Sequence, residues 1–232
     1  LAQVAALGIS LAFLLGEEPH GLTAQIYAFG ATLTAAFAFA GLRHIPGKTM
    51  REVIIGCVYV VTTALSIVIL SRSSQGMEEL KSLFNGSILW VRWQEIVVVS
   101  TAYLSLAILH GFFRKQFHAL SFGTHEERSP GFLWEFLFFA SFAVVITLAV
   151  NIAGVLLVFA FLIIPAFSAS LVADSWVGRL LVGWSLGLLG AVAGLWLSFT
   201  ADLPVGATVV SVVGLLPFAA VGLRAIRQVV PQ

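Results

Sequence analysis

Charge is what this chain has least of. Only 10% of its 232 residues are Asp, Glu, Lys or Arg, where a soluble domain carries about a quarter. A surface so poor in charge cannot be wetted over most of its area. A water-facing globule is therefore excluded, and lipid becomes the solvent. The net charge is +1 and no basic stripe is present to displace counterions, which excludes nucleic acid as a partner. A single cysteine, Cys57, excludes an intrachain disulfide and leaves the redox compartment unread. The first apolar stretch, 1–15, lacks a basic leader and a small-residue cleavage site, so it does not read as a signal peptide. The expectation is a helix cut short at its start, in a chain whose N-terminal part is missing.

What the chain does have is apolar length: 59% of it is hydrophobic. A helix spanning a bilayer needs roughly 20 such residues. The pattern predicts eight segments, at 1–15 (partial), 23–42, 52–70, 94–113, 132–150, 153–173, 179–199 and 206–223. The fold class expected is all-α, a polytopic membrane bundle forming a single domain over 1–232. The connections alternate in charge. Arg43, Lys48, Arg51, Arg114, Lys115, Arg128, Arg179, Arg224 and Arg227 fall on one side, and only Arg72, Lys81 and Arg92 on the other. Nine cations against three place the first set in the cytoplasm by the positive-inside rule. The outer connection 71–93 carries Met77, Leu80, Leu83 and Phe84 with Glu78, Glu79 and Lys81 between them, a spacing that predicts a short amphipathic helix on the outer surface.

Each polar feature has a chemical reading and a packing one. Gly41 to Thr49 resembles a P-loop but has five residues between its glycines, follows a membrane helix, and reads as a tight inner turn. This chain is not expected to bind or hydrolyse ATP itself. Glu52, Gly56, Tyr59, Thr63 and Ser66 share a helix face, which suits either a transport wall or a helix seam. Gly183, Gly187, Gly190 and Gly194 read as close helix packing. His110 is expected to snorkel to the inner surface or titrate there. Asn151 reads as a turn residue, and Pro165 as a kink. Asp202 either attracts a cation at the outer mouth or caps the last segment. Glu17, Glu18 and His20 are weak metal-ligand candidates in an acidic outer loop.

The inner loop 114–131 is longer than most connections. Ser121 or Thr124 is read as the start of a short helix with Glu126 and Glu127 in its first turn, ended by Pro130 and Gly131. Such a helix on the cytoplasmic side suits docking of a soluble partner.

Taken in order, the stretch from Ile152-Ala153-Gly154 to Pro165-Ala166, the run Asp202-Leu203-Pro204-Val205-Gly206-Ala207-Thr208, Ser121-Phe122 with Gly131, and Asn85 to Val91 resemble the membrane subunit of zinc/manganese-type ABC importers. The resemblance implies a type II importer permease fold acting as a homodimer in the cytoplasmic membrane. It implies a cytoplasmic ABC ATPase partner carrying ATP and magnesium, and an extracytoplasmic metal-binding protein. The cargo would be a divalent metal: zinc, manganese or iron. The loop 114–131 would be the coupling region, with Ser121, Phe122, Gly123, Thr124, His125, Glu126 and Glu127 receiving the ATPase stroke. Where the family carries Ser-His-Ala, this chain has Leu1-Ala2-Gln3, and an amide is a poorer zinc ligand than imidazole. Where the family has Asp after Ser-Phe, Gly123 stands. The expected pathway wall is Gln3, Tyr59, Thr63, Ser66 and Asp202.

Two other readings compete. A stand-alone secondary transporter needs carboxylates at mid-membrane depth, and none is evident. An intramembrane enzyme needs a nucleophile or a His/Asp ligand set at helix spacing, and neither occurs.

Overall fold

A computed structural model describes residues 1–18, 21–42, 48–72, 76–86, 88, 91–122 and 131–229; side chains are not described for 48, 49, 77, 121, 122 and 223–229. The described chain is helical throughout, in eleven pieces: α1 (Ala2–Leu14), α2 (Leu22–Gly41), α3 (Lys48–Leu70), α4 (Gly76–Asn85), α5 (Trp93–Phe112), α6 (Arg114–Phe122), α7 (Phe132–Ala153), α8 (Val155–Val172), α9 (Trp176–Ala201), α10 (Val205–Gly214) and α11 (Leu216–Val229). Seven spans among the described residues are long and apolar enough to cross a membrane. In such a solvent backbone polar groups must pair within the protein, and an unbroken apolar run of about 20 residues does so as a helix.

The helices gather into two compact units. The first comprises 1–81 and 89–152. Its centre is α1, in which Ala2, Gln3, Val4, Ala5, Ala6, Gly8, Ile9, Ser10 and Ala12 are all buried. A helix buried on every side needs small residues, and α1 supplies them. A Cβ built on Gly8 would fall 2.6 Å from the Cα of Ala28, so α1 and α2 meet backbone to backbone. α3 presents Thr62, Ser66 and Leu70 to the interior and leaves most of its remaining surface open. α5 has no buried residue; the Tyr103 hydroxyl holds it to α7 by donating to the Val145 carbonyl at 3.0 Å. The buried hydroxyls of Thr32 and Thr147 join α2 to α7 across 3.0 Å.

The second unit comprises 82–88 and 153–232. Its core is Leu157 of α8 with Val209 and Val213 of α10. The glycines of α9 serve two neighbours. Cβ atoms on Gly183 and Gly187 would touch Pro165 of α8 at 3.6 and 3.7 Å; on Gly190 and Gly194 they would collide with Val213 and Val209 of α10 at 2.7 and 2.6 Å. The packing reading of this stripe therefore holds.

Pro165 lies inside α8, which runs on to Val172. Three sequence expectations need correction. Asn151 is not a turn residue: α7 runs through it to Ala153, and Gly154 alone makes the elbow, at φ 78°. The left-handed backbone there suits glycine and no other common residue. Asp202 does not cap the last segment. It closes α9 in the left-handed region at φ 51°, ψ 46°. The Leu203 N–H donates to the Ser198 carbonyl at 3.0 Å, the six-to-one bond of a Schellman closure. Pro204, which has no side-chain acceptor, takes the N-cap position of α10. Finally, the segment expected at 206–223 is two helices, divided at Leu215.

Candidate functional site

The inner connection begins with a short helix, α6. Ser121 lies at its end, not its start; the helix expected from Thr124 with Glu126 and Glu127 lies outside the described residues, as do Gly123 and His125. The anchor of α6 is Phe117, which is 6% exposed. Its ring stacks on His110 of α5 with centroids 4.3 Å apart. It meets Trp134 edge-on at 6.2 Å and Phe138 at 6.0 Å, both on α7. Helical phase is set by that anchor, so the turn around Phe117 is helical and its other face, with Arg114, Lys115 and His118, is exposed.

His110 does not snorkel. It is half-buried, and its Nδ1 lies 2.9 Å from the Leu106 carbonyl. A carbonyl only accepts, so Nδ1 carries a proton. Nε2 lies 3.3 Å from the Ser141 hydroxyl, whose single proton serves either that nitrogen or the Phe138 carbonyl at 2.8 Å. One imidazole thus ties α5, α6 and α7 together. Sequence reasoning missed this. The available signal was the seven-residue step from His110 to Phe117, two helical turns across an apparent loop.

The expected wall residues do not share one environment. Tyr59 is 39% exposed, and Thr63 is half-buried beside it on α3. Ser66 is turned inward, donating to the Thr62 carbonyl at 2.9 Å. Gln3 is buried within α1 at 6% exposure. Glu52 stands exposed at the far end of α3, and Asp202 is exposed at the end of α9. The hydroxyls along these faces are satisfied within their own helices. Thr62 and Thr63 donate to the carbonyls of Val58 and Tyr59 at 2.6 and 2.7 Å, which lets them sit in an apolar setting without an orphaned donor.

Glu17 and Glu18 are exposed, and His20 lies outside the described residues. Among the described residues no group of three or more His, Cys, Asp or Glu side chains gathers where a metal could be held. Soft or hard, a resident ion needs several convergent ligands.

The sequence model described as the ABC 3 transport family matches residues 1–224. The manganese transport system membrane protein MntC of Listeria monocytogenes is 26% identical over 222 residues, covering 92% of this chain and 75% of its own length. The chelated iron transport system membrane protein YfeC of Yersinia pestis is 26% identical over 196 residues, covering 80% of this chain. This chain spans 64% of the length of that Yersinia protein. Among solved structures, PsaBC from Streptococcus pneumoniae in complex with Fab aligns with a TM-score of 0.68 and 20% identity, over 94% of this chain and 78% of the other. That likeness establishes the shared fold.

Proposed function

Because this chain belongs to the ABC 3 transport family, we propose that it is the membrane-spanning subunit of an ATP-driven importer for a divalent metal ion. Manganese and iron lead the candidates, since similar proteins are named for them, and zinc follows. A bare divalent ion cannot enter hydrocarbon, because its desolvation costs tens of kcal/mol in the Born limit. It needs a polar route that opens to one side at a time. In this reading two copies in the cytoplasmic membrane enclose the route. The open face of α3, with Tyr59 and Thr63, forms part of its wall, with Gln3 and Ser66 packed behind, and Asp202 lies near the outer mouth. An extracytoplasmic protein delivers the ion, and cytoplasmic ATPases carry ATP and magnesium.

The observation that carries the reading is the family match together with α6. This nine-residue helix is held by one buried aromatic, Phe117, and faces outward with Arg114 and Lys115. A rigid, exposed element clamped to two membrane helices is what a push from a soluble partner requires. Residues 121–127 extend the contact in this proposal.

The test is uptake of radioactive manganese, iron or zinc by cells carrying the full-length protein as their only permease of this type. Uptake should need the cognate ATPase and should fall at least tenfold when 121–127 is replaced by a neutral linker. The ATPase should co-purify with the wild-type chain. Undiminished uptake with the linker, and no ATPase in the purified material, would end the proposal.

A further inference from the structure

A groove of about 760 Å³ runs along the seam of α8 and α9, within the second unit. Phe161, Leu162 and Pro165 form one wall, Trp184 and Leu188 the other, with Ala191 at the far end; Trp176 and Arg179 stand at the near end. The glycines that let the helices approach also make the groove. Gly183 and Gly187 have no side chains to fill the seam beside Pro165. Its outer wall is open: Trp184 is 69% and Leu188 67% exposed.

The ends of the groove differ in chemistry. Arg179 is the only charged residue among those lining it. Its Nε donates to the Ala173 carbonyl at 2.9 Å, and its terminal nitrogens have no partner among the described residues. That bond fixes the guanidinium over the α8–α9 turn. Asp174 is exposed in the same turn, yet the described residues form no ion pair between the two; the one recorded is Arg92 with Glu95. Apart from Ser170, whose hydroxyl donates to the Phe167 carbonyl at 2.7 Å, the lining from Arg179 to Ala191 is apolar. Twelve residues of helix cover about 18 Å, close to the roughly 15 Å of hydrocarbon in one leaflet.

We propose that this groove binds one acyl chain of an anionic phospholipid, with the lipid phosphate held by Arg179. The occupant must come from the bilayer, because both walls belong to membrane-length helices. Its length matches a single leaflet. Its charged end is Arg179, one of the nine cations assigned to the inner side by sequence, where anionic headgroups attract arginine. Trp176, 63% exposed, suits the interfacial level at which a headgroup would sit. A guanidinium with unused donors engages a phosphate in a bidentate way that an ammonium cannot. This inference uses only the membrane fold and does not depend on the cargo or on transport.

The experiment places the full-length protein, with Cys57→Ser, in vesicles of phosphatidylcholine with a minor fraction of phosphatidylglycerol. Bromine is carried on the acyl chains of one lipid or the other at equal mole fraction. The quenching lost in Trp184→Phe isolates that indole. Brominated phosphatidylglycerol should quench Trp184 several-fold more than brominated phosphatidylcholine. Arg179→Gln should bring the two to parity, Arg179→Lys should retain part of the preference, and Ala191→Phe should reduce quenching by both. Equal quenching in the wild type, or a preference that survives Arg179→Gln, overturns the proposal. So does disulfide formation between two copies of a Leu188→Cys variant under oxidation, since a second copy would then cover the groove. The Ala191→Phe and Arg179→Lys arms keep the test decisive if Arg179→Gln does not fold.

Discussion

Three glycines of the second unit allow backbone segments to meet where a methyl group would not fit. Gly86 and Gly154 both have positive φ, and a Cβ on either would collide with the other's neighbourhood; one on Gly206 would strike Asn85. Gly154→Ala should therefore cost at least about 2 kcal/mol, from left-handed backbone and overpacking together. Gly30→Ala, inside α2 with nothing within 4 Å of its Cβ, should instead stabilise by roughly 0.5 kcal/mol. Thermal unfolding in detergent compares them. The Thr32–Thr147 pair is a different case. Thr32 already back-bonds to the Ala28 carbonyl at 2.9 Å, so its hydroxyl survives loss of the partner. A double-mutant cycle with Thr32→Val and Thr147→Val should give a coupling of about 0.6 kcal/mol, in the range of buried polar pairs in membranes. At this scale the sequence was legible for small-residue packing, because glycine at helical spacing has one dominant use in lipid. It was illegible for Asp202 and His110. A carboxylate beside Pro204 can serve either helix it separates, and only the backbone angles choose. For His110, the deciding partner, Phe117, sits across a connection that the hydropathy pattern left open.

Among the described side chains of α6, Phe117 is the buried one. It supplies the helix's buried contact with His110, Trp134 and Phe138. Phe117→Ala should free the helix while leaving the membrane spans folded. Amide exchange over 114–122 should rise to unprotected rates, with protection in α7 retained, and uptake should fall in step with it. If α6 stays protected in that variant, the anchoring role is wrong. Most other elements were readable from hydropathy alone. The starts of α2, α5 and α7 match the expected segments to within a residue, because a run of apolar residues ends sharply where charge begins. What hydropathy could not reveal was the division between α10 and α11 at Leu215, since both sides of the break are equally apolar. It also did not reveal α6, where Ser121 lies at the end of a helix anchored by the packing of Phe117.

At the scale of the whole molecule, the distribution of cations makes a prediction that is independent of cargo. In cells carrying a Cys57→Ser background, Lys115→Cys should react with an impermeant thiol reagent only after the membrane is opened. Glu17→Cys should react from outside in intact cells. The reverse pattern would invert the topology and place α6 beyond the reach of any cytoplasmic ATPase. The fold class follows from composition, and the family from motifs spread along the chain. The route in the proposed function was not legible in the same way, because one chain supplies only its own faces. Tyr59 and Thr63 point away from the first unit's core, and sequence cannot say what a second surface would bring opposite them.

The hydroxyl contact between Thr32 and Thr147 spans 115 residues of sequence, and this has a consequence for biogenesis. At about 5 to 20 residues per second, the ribosome needs roughly 6 to 23 s to make the intervening chain. During that interval α2 waits in the membrane with its partner still unsynthesised. Its own carbonyl at Ala28 occupies the threonine hydroxyl meanwhile, so the nascent helix is not left with a bare polar group that would draw in the wrong neighbour.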